Sequence, residues 1–228
     1  MTLEAVIFDW GGTLTPWHTI DHHDCWFAVT GDTEQTAALI AAENEVWGLV
    51  RHEHRSGTLA DILDRARVSL TDAQFETYYR WWDEHSYTAP EVPAVFAALR
   101  DRGLKIGVLS NTTWPEHQHA RIFVRDEVDH LIDGAVYSSE IPWAKPHPEA
   151  FRAALDAVGV ADAGRAVYVG DRLFEDIYGA NQVGMRAVLL PHSTIPSGQL
   201  GVDGTPDAII QSLTELVDVV DGWLGEPA

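Results

Sequence analysis

The chain opens with an apolar run, Ala5-Val6-Ile7-Phe8, that ends in Asp9 and passes into Trp10-Gly11-Gly12-Thr13-Leu14-Thr15. Such a run predicts a strand buried on both faces, and the paired glycines predict a tight turn at its carboxyl end. The pattern then changes. Pro16 to Gly31 mixes aromatic, histidine and acidic positions and reads as a loop or an irregular helix. From Glu34 to about Arg55 the apolar positions recur at helical spacing through Leu39, Ile40, Ala42, Val46, Trp47 and Val50. Thr58 to Val68 predicts a shorter helix with Leu59, Ile62, Leu63 and Ala66 on one face. Thr71-Asp72-Ala73-Gln74 is a capping-box pattern opening a further helix through Tyr78, Tyr79, Trp81 and Trp82. Residues 16–87 therefore read as an all-helical, aromatic-rich insertion.

Alternation of strands and helices returns after that block. A helix from Pro90 to Arg102 is stopped by Gly103, and a strand from Leu104 to Leu109 ends at Ser110-Asn111-Thr112-Thr113. A helix over Pro115–Arg125, a strand over Gly134–Ser138 and a helix over Pro148–Val158 follow. The strand Ala166–Gly170 ends at Asp171, a helix runs from about Phe174 to Gln182, and Met185–Leu190 is a strand. Asp207 to Trp223 holds a short apolar piece and a last amphipathic helix. This rhythm predicts an α/β fold with a Rossmann-like, doubly wound parallel sheet. Its core would comprise residues 1–15 and 88–228, with residues 16–87 inserted as a small helical cap.

Composition narrows the function classes. The 228 residues carry 15 basic against 35 acidic side chains, a net charge of −20. With no basic stripe, a nucleic-acid backbone is not an expected partner, and any anion site must be built locally. The single cysteine, Cys25, offers no disulfide framework and fits a reducing compartment. No segment has the length of a membrane span, and the first residues do not form a signal peptide. A cytoplasmic protein, monomeric or homodimeric, is the expectation.

Three strand ends carry polar groups: Asp9, Ser110 and Asp171. At the carboxyl edge of a parallel sheet they converge, and Asp176 falls where it can face the same crevice. A carboxylate there, beside backbone N–H groups exposed by glycine, can attack an electrophile or hold a cation. Asp9, Asp171 and Asp176 together would repel one another unless a hard cation such as Mg²⁺ sat between them. The bland alternatives are that Asp171 caps a helix and Asp176 is solvated. Lys145 stands out because the chain has only two lysines, Lys105 and Lys145, among its 15 basic residues. Lys145-Pro146 places a compact ammonium on a loop with restricted backbone, suited to bridging a carboxylate and a phosphate, unless it is merely an exposed loop charge.

Four pieces in chain order resemble the signature motifs of the haloacid dehalogenase superfamily of hydrolases. They are Asp9-Trp10-Gly11-Gly12-Thr13-Leu14-Thr15, Val108-Leu109-Ser110-Asn111, Lys145-Pro146 with the helix after it, and Gly170-Asp171-Arg172-Leu173-Phe174-Glu175-Asp176. The helical block sits where members with a small cap insert theirs. The resemblance implies a Mg²⁺-dependent phosphatase of a small phosphorylated metabolite. Asp9 would be the nucleophile, forming an aspartyl-phosphate, with Ser110 and Lys145 completing the catalytic set. Asp9, the backbone carbonyl of Gly11, Asp171 and Asp176 would hold the metal. Gly11, Gly12, Ser110, Asn111 and Lys145 would hold the phosphoryl group, and Arg172 would orient the metal loop.

One position departs from the pattern. Phosphatases of this family usually carry a second aspartate two residues after the nucleophile, which protonates the leaving group and later activates water. Here that residue is Gly11. General acid–base help of this kind is typically worth about a hundred- to ten-thousandfold. The phosphonate-cleaving branch uses a cap lysine, and residues 16–87 contain none. A haloacid dehalogenase-type hydrolase, which dispenses with that aspartate and needs no metal, is one alternative. A catalytically degenerate phosphate-binding or interaction protein is another. A surrogate acid from His18, His22 or His23 is a third, since histidine titrates in the useful range. Asp21-His22-His23-Asp24 also admits a transition-metal site. The tryptophans of the insertion, including Trp26, Trp47, Trp81 and Trp82, read as bundle core or as crevice lining for an apolar or ring-bearing substrate.

Overall fold

Strand β1 (Ala5–Phe8) is buried at every position, as its unbroken apolar sequence requires. In the computed structural model, which describes residues 2–16, 20–191 and 204–225, it lies at the centre of a six-stranded parallel sheet. The other strands are β2 (Lys105–Ser110), β3 (Gly134–Tyr137), β4 (Ala166–Gly170), β5 (Arg186–Leu189) and β6 (Ala208–Ile209). Their spatial order is β3-β2-β1-β4-β5-β6. The order reverses at β1, which makes its carboxyl end the crevice where open α/β sheets bind ligands.

Alternation along the strands sorts side chains into two cores. Val6, Phe8, Ile106, Val108, Val167, Val169 and Val188 face one side. There they meet helix α5 (Val92–Asp101) and the carboxyl-terminal helix α9 (Leu216–Leu224) through Phe96, Leu99, Leu216 and Val220. Ala5, Ile7, Leu109, Tyr168, Ala187 and Leu189 face the other side, against Phe151, Ala154 and Leu155 of α7 (Pro148–Ala157). Each fully buried side chain the size of Phe8 or Leu99 stabilises the fold by roughly 1.5–3 kcal/mol.

The segment between β1 and α5 folds into four helices, α1 (His22–Thr30), α2 (Thr33–Glu53), α3 (Leu59–Ala66) and α4 (Asp72–His85). The part of Pro16 to Gly31 read as a loop or irregular helix contains a regular helix after all. Asp21 caps its first turn by accepting from the His23 N–H, and Gly31 closes it in a left-handed conformation. Thr58 with Asp61, and Thr71 with Gln74, form reciprocal capping boxes at the starts of α3 and α4. Trp26, Val29, Leu39, Val46, Ile62 and Tyr78 are buried and continue the first core beyond the sheet.

Backbone hydrogen bonds tie this block to two loops at the sheet edge. The Leu59 N–H donates to the Thr113 carbonyl at 2.8 Å, and the Ala144 N–H donates to the His54 carbonyl at 3.0 Å. An antiparallel bridge between Arg55 and Trp143 accompanies them. A second difference from expectation lies after β4. Leu173–Tyr178 is a π-helical turn, and only Gly179–Val183 (α8) is α-helical. The wide turn brings Asp176 back over Gly170, where a Cβ would stand 2.5 Å from that of Asp176. Among the described residues no helix is long and apolar enough to cross a membrane.

Candidate active site

Parallel register sets the site. Phe8 pairs with Val108 on one side and Val169 on the other, so the residues that follow β1, β2 and β4 emerge together. Asp9 continues the ladder by donating its N–H to the Val169 carbonyl at 2.9 Å. The chain then turns through Gly12, whose φ of +85° belongs to the left-handed region that favours glycine. The Gly12 N–H donates to Thr15 Oγ1 at 3.1 Å, which closes the turn.

Lys145 is the hub of the charges. It is 3% exposed, and its Nζ donates to Asp9 Oδ1 and to Asp176 Oδ1, each at 2.6 Å. A third bond, at 2.9 Å, goes to the hydroxyl of Tyr168. That hydroxyl stands 3.2 Å from the Leu109 carbonyl and from Asp176 Oδ1, and donates to one of them. Asn111 fixes the lysine loop from the end of β2. Its Nδ2 donates to the Lys145 carbonyl at 2.9 Å, and its Oδ1 accepts the Lys145 N–H at 2.8 Å. Its amide therefore positions Lys145, with both polar ends engaged there.

Asp9, Asp171 and Asp176 each offer a carboxylate oxygen within 4.8 Å of the others, and all three are buried. Asp176 Oδ2 accepts the Arg172 N–H at 3.0 Å. Both oxygens of Asp171 are buried without a hydrogen-bond partner, and Arg172 Nε, at 3.6 Å, is beyond hydrogen-bond reach. Burial pushes Asp9 up to about 6, against the pull of Lys145 and with a further push from Asp176. Burial also drives Asp171 well above the usual carboxylate range, and the charges of Asp9 and Asp176 add to it. Burial works against the charge of Lys145, but Asp176 and Asp9 outweigh it and keep the ammonium protonated beyond its ordinary range. A crowded set of oxygen donors with one member unpartnered is the donor chemistry that a hard divalent cation takes. The two bland alternatives for Asp176 and Lys145 fail, since neither side chain is solvated.

In front of this cluster is a cavity of about 200 Å³. Gly11, Gly12, Ser110, Asn111, Thr112 and Thr113 form its sheet-edge wall, and Ile20, His22, Glu43, Trp47, Trp82 and His85 form the helical wall. Asp9, Lys145, Asp171 and Asp176 are not among its lining residues. A Cβ at Gly11 would meet nothing within 4 Å, so the position is open as well as bare. Of the three histidines raised as surrogate acids, His18 lies outside the described residues. His23 is exposed on α1, and His22 reaches the cavity. Asp21 is a helix cap, and among the described residues only the carboxylate trio offers three ligand atoms together.

Two residues at the site lie outside the motifs. Tyr168 sits in the middle of a strand whose residues all read as core, and only its hydroxyl marks it. Glu43 carried a readable signal, an acidic residue on the apolar stripe of Leu39, Ala42, Val46 and Val50.

Comparison with known proteins agrees with this architecture. Residues 3–184 match the family described as haloacid dehalogenase-like hydrolase. A glyceraldehyde 3-phosphate phosphatase of Pyrococcus abyssi is 35% identical over 138 residues, covering 59% of this chain and 57% of that protein. The chain thus spans little more than half the length of that relative. Phosphatase MT3486 of Mycobacterium tuberculosis is 27% identical across 97% of this chain and 99% of its own. The crystal structure of a HAD phosphatase from Thermococcus onnurineus superposes with a TM-score of 0.70 at 23% identity, covering 96% of this chain and 99% of that one. The chain belongs to the haloacid dehalogenase-like hydrolase family.

Proposed function

We propose that this chain is a phosphatase of small phosphorylated metabolites, with Asp9 as nucleophile and the helical block of residues 16–87 as the cap over its site. The observation that carries the reading is Lys145, buried and bridging Asp9 to Asp176 beside an Asp171 whose oxygens have no partner. A site that concentrates three carboxylates needs more positive charge than one ammonium supplies. The names of the relatives from Pyrococcus abyssi and Mycobacterium tuberculosis point to the same reaction class.

Asp9, Asp171 and Asp176, with the Gly11 carbonyl, would hold Mg²⁺. Bound there, the ion would supply electrostatic stabilisation of the transferring phosphoryl group. The chain's own residues do the rest. Lys145 holds one oxygen of Asp9 and so fixes the carboxylate for attack. Asn111 holds Lys145, and Ser110 with the turn at Gly11 and Gly12 faces the incoming phosphate. Phosphoryl transfer asks for positioning and charge stabilisation above all, and this edge is organised for both. Asp9 becomes an aspartyl-phosphate and is regenerated by water.

The dehalogenase alternative draws on Gly11, because a departing halide needs no proton. The carboxylate trio weighs against it, since three buried acids with Asp171 unpartnered form a donor set suited to a cation. A Mg²⁺ titration with p-nitrophenyl phosphate tests the choice. Hydrolysis that requires the ion, stops on chelation and disappears in Asp9→Asn supports the phosphatase. Halide release from a 2-haloacid that survives chelation would replace it.

A further inference from the structure

The helical wall of the cavity contains a second titratable pair. Glu43 lies on the apolar stripe of α2, 7% exposed, and no lysine or arginine pairs with it among the described residues. Both of its oxygens are engaged. Oε1 accepts from His22 Nδ1 at 2.9 Å, and Oε2 accepts from Trp26 Nε1 at 3.0 Å. The His22 ring also stands edge-on to Trp82, with centroids 5.5 Å apart. The imidazole is therefore held from two sides, and Nε2 is the nitrogen left for the cavity that Gly11 opens onto.

Splitting an alkyl phosphate releases an alkoxide, which needs a proton. The described cavity wall carries three side chains able to exchange a proton: His22, Glu43 and His85. Glu43 is committed to His22 and Trp26. His85 turns Nδ1 to the Trp81 carbonyl at 2.6 Å and lies flat on the Trp81 ring, 3.8 Å away. A histidine oriented by a buried carboxylate is the arrangement used for proton transfer.

We propose that His22 is the proton donor and acceptor of this site, positioned by Glu43, in place of the side chain that Gly11 lacks. The proposal rests on the phosphatase reading. In the first half-reaction an Asp9 oxygen bonds to phosphorus while the ester P–O bond breaks. The His22 imidazolium gives its Nε2 proton to the departing alkoxide and becomes neutral. In the second, a water oxygen bonds to phosphorus while the bond to Asp9 breaks. Nε2 takes the water proton, so phosphate leaves and both the carboxylate and the imidazolium are restored.

The surroundings favour the protonated form. The hydrogen bond that His22 donates to Glu43 raises His22 above its ordinary range, burial opposes this, and the charges of Glu43 and Asp21 add to the rise. His23 and Asp24 neighbour it on α1, while α4 presents Trp82, with His85 on the same wall. A proton donor must start protonated. Alkyl ester turnover is therefore lost as pH rises through the His22 pKa.

The test compares kcat/KM for p-nitrophenyl phosphate, whose nitrophenolate leaves without a proton, with that for ethyl phosphate, both with Mg²⁺. This ratio reports the first half-reaction, where the two leaving groups differ. Wild type is expected to hydrolyse both esters. His22→Asn is expected to lose about a hundredfold or more on ethyl phosphate and less than about fivefold on the aryl ester. Glu43→Gln is expected to move the alkaline limb of the ethyl phosphate profile to lower pH, which a purely structural role would not do. Gly11→Asp added to His22→Asn is expected to recover ethyl phosphate turnover, an outcome a misfolded variant cannot give. Equal losses on both esters without that recovery, or the selective loss appearing in His85→Asn instead, would overturn the proposal. Wild type that cleaves only the aryl ester would overturn it while leaving the phosphatase standing. Wild type that cleaves neither would remove both.

Discussion

The sheet edge and the helical wall of the cavity solve different problems with different materials. At the edge, Asp9, Lys145, Asp171 and Asp176 are buried, and hydrogen bonds of 2.6 Å tie the lysine to two of the acids. The helical wall is mostly aromatic and apolar, with one His–Glu pair set into it. Charges are packed where strand register sets their positions, and shape is left to helices. On the phosphatase reading the edge would serve any substrate that carries the reacting group, while the wall would select among substrates and, through His22, handle the proton.

Breaking the edge should have the largest consequences. Asp9→Asn keeps the size of the side chain and removes its nucleophilic charge, so kcat/KM for p-nitrophenyl phosphate is expected to fall at least about ten-thousandfold. A comparable loss on that ester from Glu43→Gln, measured in the same assay, would refute the division of labour between the two regions. Lys145→Met leaves Asp9 and Asp176 buried without their cation. Removing one partner of such a pair costs about 3–5 kcal/mol, readable as a lower urea midpoint. Adding Mg²⁺ is expected to raise the midpoint of this variant more than that of wild type. Equal shifts would mean that the carboxylates do not share a cation.

How far the sequence revealed these two regions follows from their construction. Asp9, Ser110, Lys145 and Asp171 each follow an apolar run or a proline-marked turn, so local pattern places them at the edge. The parallel sheet follows from the same alternation, whereas the strand order that reverses at β1 does not. Asp176 was legible as an acid five residues beyond Asp171, but not the π-helical turn that returns it over Gly170, because periodicity does not distinguish a wide turn from a regular one. The helical wall was harder to read. His22 and Glu43 are 21 residues apart on different helices, and their pairing depends on how α1 packs on α2. Tryptophans give no sequence signal for whether they face a core or a cavity. The structure separates them: Trp26 is 1% exposed in the core, whereas Trp47 and Trp82 line the cavity.

A second histidine sharpens the contrast between exposed chemistry and buried structure. His119 on α6 (Glu116–Arg125) lies behind the cavity, stacked on Tyr137 at 4.3 Å and edge-on to Trp10 at 4.7 Å. Its Nε2 is 3.2 Å from Thr112 Oγ1. Burial without a charged partner pulls it down to about 3, so it stays neutral where His22 is held charged. The unfolded chain binds a proton here below about pH 6.5 that the folded chain refuses. Stability should then fall by about 2 kcal/mol between pH 6.5 and 5. His119→Gln is expected to flatten this dependence in urea unfolding at the two pH values, whereas His22→Asn is not.

The smallest effect should come from the aromatic wall itself. Trp47 is half-buried on α2 and faces the cavity across from Gly11, Ser110 and Asn111, so its removal leaves the charged edge untouched. An aromatic leaving group that packs on it would gain about 0.5–1.5 kcal/mol, a contact as favourable in the bound ester as in its transition state. Interactions of that kind set KM and leave kcat alone. Trp47→Ala is accordingly expected to raise KM for p-nitrophenyl phosphate by about two- to tenfold with kcat unchanged, and to leave ethyl phosphate, which has no ring to stack, nearly unaffected. A fall in kcat for both esters would show that Trp47 helps hold the wall against the edge rather than selecting what fits between them. The aromatic face would then support the chemistry beside His22, and selecting substrates would not be its only work.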